Sequence, residues 1–196
     1  AGRHTRPPPP RRRMGSILGM GAGHKTAPLG IILVGMKPMT TRPLRVYADT
    51  SVYGGVFDDE FARPSLRFFE CVREGRFRLV LSGVVLKELR QAPRPVLDLL
   101  DEMLGIAEVV GVSEEALALQ RAYMDARILT VKSADDALHV ALATVTSCAM
   151  IVSWNFQHIV HYQKMPMYNA VNALLRHGPI EIHSPSEVIE DEDEDI

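Results

Sequence analysis

Asp49, Glu88, Asp136 and Asn155 are residue types that could act together on a phosphate ester if the fold brought them to one place. Unpaired carboxylates repel one another, and a divalent cation relieves the repulsion. Mg2+ or Mn2+ prefers such hard oxygens and keeps waters that can attack phosphorus. Each residue also has a plainer use. Asp49 could close an Asx turn at a strand end, and Asn155 could be a simple turn former. Glu88 could be a solvated helix residue beside Lys87 and Arg90. Asp136 ends the run Ser133-Ala134-Asp135-Asp136, a variant of the helix capping box, and Asp135 adds charge where a helix N-terminus welcomes it. Taken singly, the structural use is the better reading for each. Their order and placement along the chain reverse that judgement.

The placement follows from the elements around them. Leu44–Ala48 is a β-prone run that ends in Asp49-Thr50-Ser51, a strand followed by a loop that continues through Gly54-Gly55 and Asp58-Asp59. Pro64 starts a helix with Leu66, Phe69 and Val72 at helical spacing, and Gly75 stops it. A second strand, 78–81, precedes Ser82, which can cap a helix over 84–91 that Pro93 and Pro95 end. A helix over 96–104 and a third strand over 107–110 follow. Ser113 starts the next helix, and Ser133 caps another over 134–146, dense in Ala, Leu and Val and therefore buried on most of its surface. A fourth strand, 149–152, leads into Ser153-Trp154-Asn155. A helix covers much of 156–176, interrupted near Pro166, and 179–183 is the last strand. Short apolar strands alternating with helices predict an α/β fold with a parallel sheet covered on both faces. Such sheets place their sites beyond the carboxyl ends of the strands, where Asp49 and Asn155 fall, with Glu88 and Asp136 on the helices that follow loops.

The chain of 196 residues suits one domain with a single core, and its 46% apolar and 23% charged residues are ordinary for a globular protein. Charge is uneven. Residues 1–13 hold five Arg and no acid, residues 187–196 hold seven acids, and the body between is close to neutral. A general positive field for nucleic acid is therefore excluded; any such binding needs a local patch or metal ions. Residues 1–43, Pro/Arg-rich and then Gly/Met-rich, are expected to be a disordered N-terminal extension, with Met36 or Met39 as alternative starts. Its apolar stretch is about half the ~20 residues that span a bilayer, and Gly and Pro interrupt it, which argues against a targeting peptide or a membrane role. The domain is expected over 44–186 and an acidic disordered tail over 187–196. Cys71 and Cys148 stand far apart with no CxxC or Cys/His cluster, so two buried, inert thiols and a cytoplasmic location are expected.

At this point the sequence resembles a known family. Tyr47-Ala48-Asp49-Thr50-Ser51 is similar to the opening motif of PIN domains, and Leu86-Lys87-Glu88-Leu89 to the segment that carries their second acid. Asp135-Asp136-Ala137-Leu138-His139 and the apolar run to Ala143 resemble the third motif, and Ser153 to Ile159 the fourth. The match runs from Leu44 to the last strand and is closest to VapC-like toxins and their stand-alone relatives. The resemblance implies a three-layer α/β/α sandwich on a mainly parallel sheet of about five strands. It also implies a Mg2+- or Mn2+-dependent endoribonuclease acting on single-stranded RNA, with an antitoxin partner and a homodimer.

Residue by residue, Asp49, Glu88 and Asp136 match the metal-binding acids, with Asp136 preferred to Asp135 because it directly precedes Ala137-Leu138-His139. The fourth position departs from the four-acid form: it holds Asn155, with His158 where some relatives carry a further acid. Asn can accept from a metal-bound water but brings no charge, so occupancy by one or two ions is open. Thr50 or Ser51 is expected to orient the Asp49 carboxylate or a metal water. Asp49 and Asp136 would hold one ion, Glu88 would join through a water or a second ion, and a metal-activated hydroxide would attack phosphorus in line.

A haloacid-dehalogenase-type phosphatase would need a second Asp where Ser51 stands, and a receiver domain lacks its acidic pair. The rival from another class is a PIN-like module that binds RNA or protein without cutting. His158 and His161 lie i, i+3 but lack a third N or S ligand for zinc. His139 is expected to be a hydrogen-bonded core or dimer-contact residue. Trp154 and Phe156 could stack on a base, though packing of the strand end is the plainer role.

Overall fold

The structure, a computed structural model, describes residues 42–189. The extension and most of the acidic tail expected from the sequence lie outside the described residues. Strand β1 (Leu44–Ala48) is followed by helices α1 (Thr50–Gly55) and α2 (Ala62–Arg73). Strand β2 (Phe77–Ser82) leads into α3 (Gly83–Glu88), which tightens into a 3-10 turn over Leu89–Gln91, and then into α4 (Arg94–Leu104). After β3 (Glu108–Val110) come α5 (Glu114–Asp125), a 3-10 turn over Val131–Ser133, and α6 (Ala134–Val145). The chain closes with β4 (Met150–Val152), α7 (Lys164–Leu174), β5 (Glu181–His183) and α8 (Pro185–Ile189).

All five strands are parallel, in the order β3-β2-β1-β4-β5. Strands added on one side of β1 and then on the other, with right-handed crossovers, must send their helices to opposite faces. The contacts agree: α1 meets α2 and α4, α5 meets α6 and α7, and α8 returns to pack on α2. This is the three-layer α/β/α sandwich on a parallel sheet that was expected. The strand order reverses at β1, so the crevice beyond the ends of β1 and β4 is the switch point where such sheets place their sites. Among the described residues, no helix is long and apolar enough to cross a membrane.

The core residues follow the expected periods. Val46, Tyr47 and Ala48 are fully buried because β1 is central and covered on both faces. Most of α6, from Ala137 to Thr144, is buried. Gly75 ends α2 in the left-handed region, with φ of 74°. Its N–H donates to Val72 O, and the N–H of Arg76 donates to Cys71 O, the paired bonds of a glycine-terminated helix. Cys71 and Cys148 are buried and not joined, and burial pushes the Cys148 thiol up to about 11.

Several elements differ from the sequence expectation. The loop expected after Asp49 is a helix, α1, that carries Gly54 and Gly55 as helical residues. Leu66 fits the spacing of α2 but is exposed; the helix instead buries Ser65, Phe68, Phe69, Cys71 and Val72. Ser82 and Ser113 do cap, accepting from the N–H groups of Val85 and Ala116, whereas Ser133 makes no capping bond because it closes the 3-10 turn. The helix expected from Phe156 begins only at Lys164, and Pro166 lies in its first turn, where its missing N–H costs nothing. The final helix α8 carries regular structure past residue 186, as Ser184 donates through both its N–H and its hydroxyl to Glu187.

Candidate active site

Asp49 leaves β1 as the cap of α1. Its Oδ1 accepts from the Ser51 N–H at 3.1 Å and from the Ser51 hydroxyl at 2.5 Å. Its Oδ2 accepts from the Ser153 hydroxyl at 2.7 Å, so the first turn of α1 and the segment after β4 grip one carboxylate from two sides. The same hydroxyls take up the backbone around them. Ser51 Oγ accepts from the Trp154 N–H and Ser153 Oγ from the Asn155 N–H. Asp49 therefore does both things considered for it, capping a turn and presenting a carboxylate at the sheet edge. It is 3% exposed, and burial pushes its carboxyl above the ordinary Asp value against the hydrogen bonds of Ser51 and Ser153 and the charge of His139.

Glu88 is the last residue of α3, and its carboxylate meets His139 Nε2 at 3.2 and 3.3 Å. Burial pushes the Glu88 carboxyl up, but the His139 bond and charge outweigh it, with a smaller pull from the Thr50 hydroxyl, and hold it below the ordinary Glu value. Thr50 thus acts on Glu88, while Ser51 orients Asp49.

Asp136 lies in the first turn of α6 and accepts at Oδ1 from Asn155 Nδ2 at 2.7 Å. With Ser133 making no capping bond, the capping-box use of this segment falls away. Asp135 is exposed. Burial raises the Asp136 carboxyl, the charges of His158 and His139 oppose it, and those of Glu88 and Asp135 add to it. Asn155 is spent on both sides of its amide, since its Oδ1 accepts from the His158 N–H at 3.0 Å. It pins Asp136 by donating, a role the sequence reading did not assign it. His158 in turn faces Lys164, whose Nζ stands 3.4 Å from its Nδ1.

The residue that ties these groups together is His139, one turn along α6 from Asp136. Burial pulls its imidazole down, but the Glu88 bond and the charges of Asp49, Glu88 and Asp136 outweigh that and hold it above the ordinary His value. The imidazole thus bonds Glu88 on α3 and feels the charge of Asp49 after β1 and of Asp136 on its own helix. Its Nδ1 lies 2.7 Å from the Tyr47 hydroxyl, which lies 2.7 Å from Ser82 Oγ. His139, Tyr47, Ser82 and Ser153 were missed as site residues. The available signal was the i, i+3 spacing of Asp136 and His139, which puts both on one helix face.

Among the described residues, no group of three or more His, Cys, Asp or Glu side chains is arranged to hold a metal ion. The donor chemistry of the three acids nevertheless fits Mg2+ or Mn2+, which prefer hard carboxylate oxygens. Trp154 and Phe61 pack at 4.6 Å and Trp154 donates to Ser65, so Trp154 packs the strand end; Phe156 beside it is half exposed.

No family model matches the chain, and no curated protein matches it. Among solved structures it is similar to VapBC2 from Rickettsia felis bound to a DNA fragment from its promoter. That match has 13% identity and a TM-score of 0.49 and covers 72% of this chain and 98% of the other. It is also similar to DNA-bound VapBC from Salmonella typhimurium, at 16% identity and TM-score 0.49, again over 72% of this chain and 98% of that one.

Proposed function

We propose that the chain is a PIN-like endoribonuclease that hydrolyses phosphodiester bonds of single-stranded RNA with Mg2+ or Mn2+. The observation that carries this reading is how the three acids are tied together at the switch point of the sheet: Glu88 bonds His139, one turn along α6 from Asp136, while Ser153 and Asn155 after β4 bond Asp49 and Asp136. Acids brought together in this way repel one another unless the site has a use for their charge. The four motifs that resemble the PIN family supply the same residues independently.

Asp49, Asp136 and Glu88 would hold the ion, which when bound lowers the pKa of a water and offsets charge on the phosphate. The chain's own groups preorganise the acids. Ser51 and Ser153 fix both oxygens of Asp49, and Asn155 fixes one oxygen of Asp136, leaving the other for a ligand. An antitoxin and a second copy of the chain are the protein partners that the motif resemblance implies. A specific observation favours a second reading, a module that binds without cutting: the acids are drawn toward internal donors, and Asn155 spends its amide on Asp136.

Cleavage of a mixed single-stranded RNA pool with Mn2+ or with EDTA, beside Asp49→Ala and Asp136→Asn, separates the two. The nuclease reading expects Mn2+-dependent cutting that both variants lose while staying folded. Metal-independent RNA binding without turnover supports the binding module instead.

A further inference from the structure

We propose that His139, braced by Tyr47, is the positioning residue that holds the Glu88 carboxylate in the site. The inference rests on the reading of Glu88 as a site acid. Four elements meet in the contact: Tyr47 on β1, Ser82 at the end of β2, Glu88 at the end of α3 and His139 on α6. Glu88 needs such a hold. It is the last residue of α3, where the helix tightens into a 3-10 turn, and its side chain keeps about a third of its surface exposed (31%). A long carboxylate side chain at a helix end has several open rotamers, and confining it costs about 1–2 kcal/mol of entropy unless a fixed partner holds it.

The imidazole is such a partner. It is 3% exposed, sits edge-on to the Tyr47 ring at 5.8 Å and cannot rotate without losing the 2.7 Å bond to the Tyr47 hydroxyl. The direction of the contact follows from donor chemistry. An ionised carboxylate only accepts, so Nε2 is the donor to Glu88 whether the ring is neutral or protonated. In the neutral ring Nδ1 must then accept, and Tyr47 donates to it while Ser82 can donate to Tyr47. In the protonated ring Nδ1 donates to Tyr47, which donates on to Ser82. Burial drives the Tyr47 phenol far above its ordinary range, so its hydroxyl keeps its proton in either case. His139, Tyr47 and Ser82 stay bonded to one another both ways, and the Nε2–H stays aimed at Glu88.

The test separates the two ring nitrogens. A Gln side chain places its amide NH2 near the position of Nε2, and an Asn side chain places its amide near Nδ1. His139→Gln therefore keeps a donor for Glu88, and His139→Asn keeps only a partner for Tyr47. The full chain with 13C-labelled Glu side chains gives one readout, the Glu88 carboxyl resonance, assigned by its loss in Glu88→Gln. The second readout is Mn2+ affinity by calorimetry, and the third is thermal stability.

We expect the Glu88 resonance to stay near its wild-type position in His139→Gln and to move in His139→Asn. Mn2+ affinity should fall about 10–100-fold in the Asn variant, as is usual when a partner that orients a ligand is lost, and only a few-fold in the Gln variant. Equal Glu88 resonances in wild type and the Asn variant would overturn the proposal. So would equal losses of Mn2+ affinity and stability in both variants, which is what a packing role alone predicts. If the wild-type chain neither binds Mn2+ nor cuts RNA while the Glu88 resonance still distinguishes the two variants, the nuclease reading falls and the positioning stands.

Discussion

Replacing Gly55 by Ala should destabilise the protein, while the same change at its neighbour Gly54 should not. Both glycines lie in α1 with ordinary helical backbone, so Ala brings each the same gain in helix propensity, about 0.5–1 kcal/mol. They differ in what a Cβ would meet. At Gly54 nothing lies within 4 Å. At Gly55 the added carbon would stand 2.7 Å from Ser65 Oγ, 2.7 Å from Trp154 Nε1 and 2.9 Å from Trp154 Cδ1. Those two polar atoms form the 2.8 Å bond from the indole to Ser65, so the methyl must push apart a part-buried hydrogen-bonded pair. Overpacking of this kind costs about 1–3 kcal/mol, and the stretched bond adds about 1 kcal/mol. With the propensity gain common to both, the variants should differ by about 2–4 kcal/mol.

Urea unfolding measures the difference directly. At a slope of about 2 kcal/mol/M it is a gap of about 1–2 M between the two midpoints. The intrinsic fluorescence adds a local readout, because Trp154 is the only tryptophan in the chain. Its backbone N–H also donates to Ser51 Oγ, which donates to Asp49, so a displaced indole reaches the candidate site. Equal midpoints with an unchanged emission spectrum in Gly55→Ala would refute the reasoning.

Three further outcomes are expected. Asp49 carries a raised carboxyl pKa, so the folded state holds its proton more tightly than the unfolded state does. Its contribution to stability is full below the ordinary Asp value of 3.8 and is lost as pH rises through the higher folded value. Thermal melts of the metal-free protein should therefore show Asp49→Asn gaining on wild type as pH rises above about 4; a constant gap would contradict this. Asn155→Asp puts a carboxylate oxygen where Nδ2 now lies 2.7 Å from Asp136 Oδ1, so the variant should melt lower without metal and recover with Mn2+. No recovery on metal titration would count against a cation site there. Finally, the buried Tyr53 hydroxyl has no hydrogen-bond partner among the described residues, so Tyr53→Phe should raise stability by about 1 kcal/mol in denaturant unfolding. A loss of similar size would show that the hydroxyl is in fact bonded.

The frame of the fold was legible because it depends on local pattern. The apolar run of β1 ends at Ala48 as expected, and Gly75 stops α2, since the left-handed turn there is set by one residue type. Ser82 and Ser113 cap because each is an extended residue one position before its helix, from which the hydroxyl reaches the backbone N–H groups of the first turn. The alternation of strands and helices determined a parallel sheet, and with it the edge where Asp49, Asn155 and the helices carrying Glu88 and Asp136 come together.

Other assignments depended on partners distant in sequence, and only the tertiary structure decided them. Gly54-Gly55 reads locally as a loop, yet Gly55 is a helical residue kept small by Trp154 and Ser65 from other elements. Leu66 satisfies the helical period of α2 but faces solvent, because the sheet and α8 set which stripe is covered. Ser133 has the composition of a cap and makes no capping bond, since the preceding 3-10 turn turns it inward. Asn155 is a turn former by type, and Asp136, brought in by α6, made it a donor. His139 shares a helix face with Asp136, but its bonds to Tyr47 and Glu88 come from β1 and α3. Spacing along one segment fixes a face. What stands opposite that face is fixed by the order in which the strands assemble.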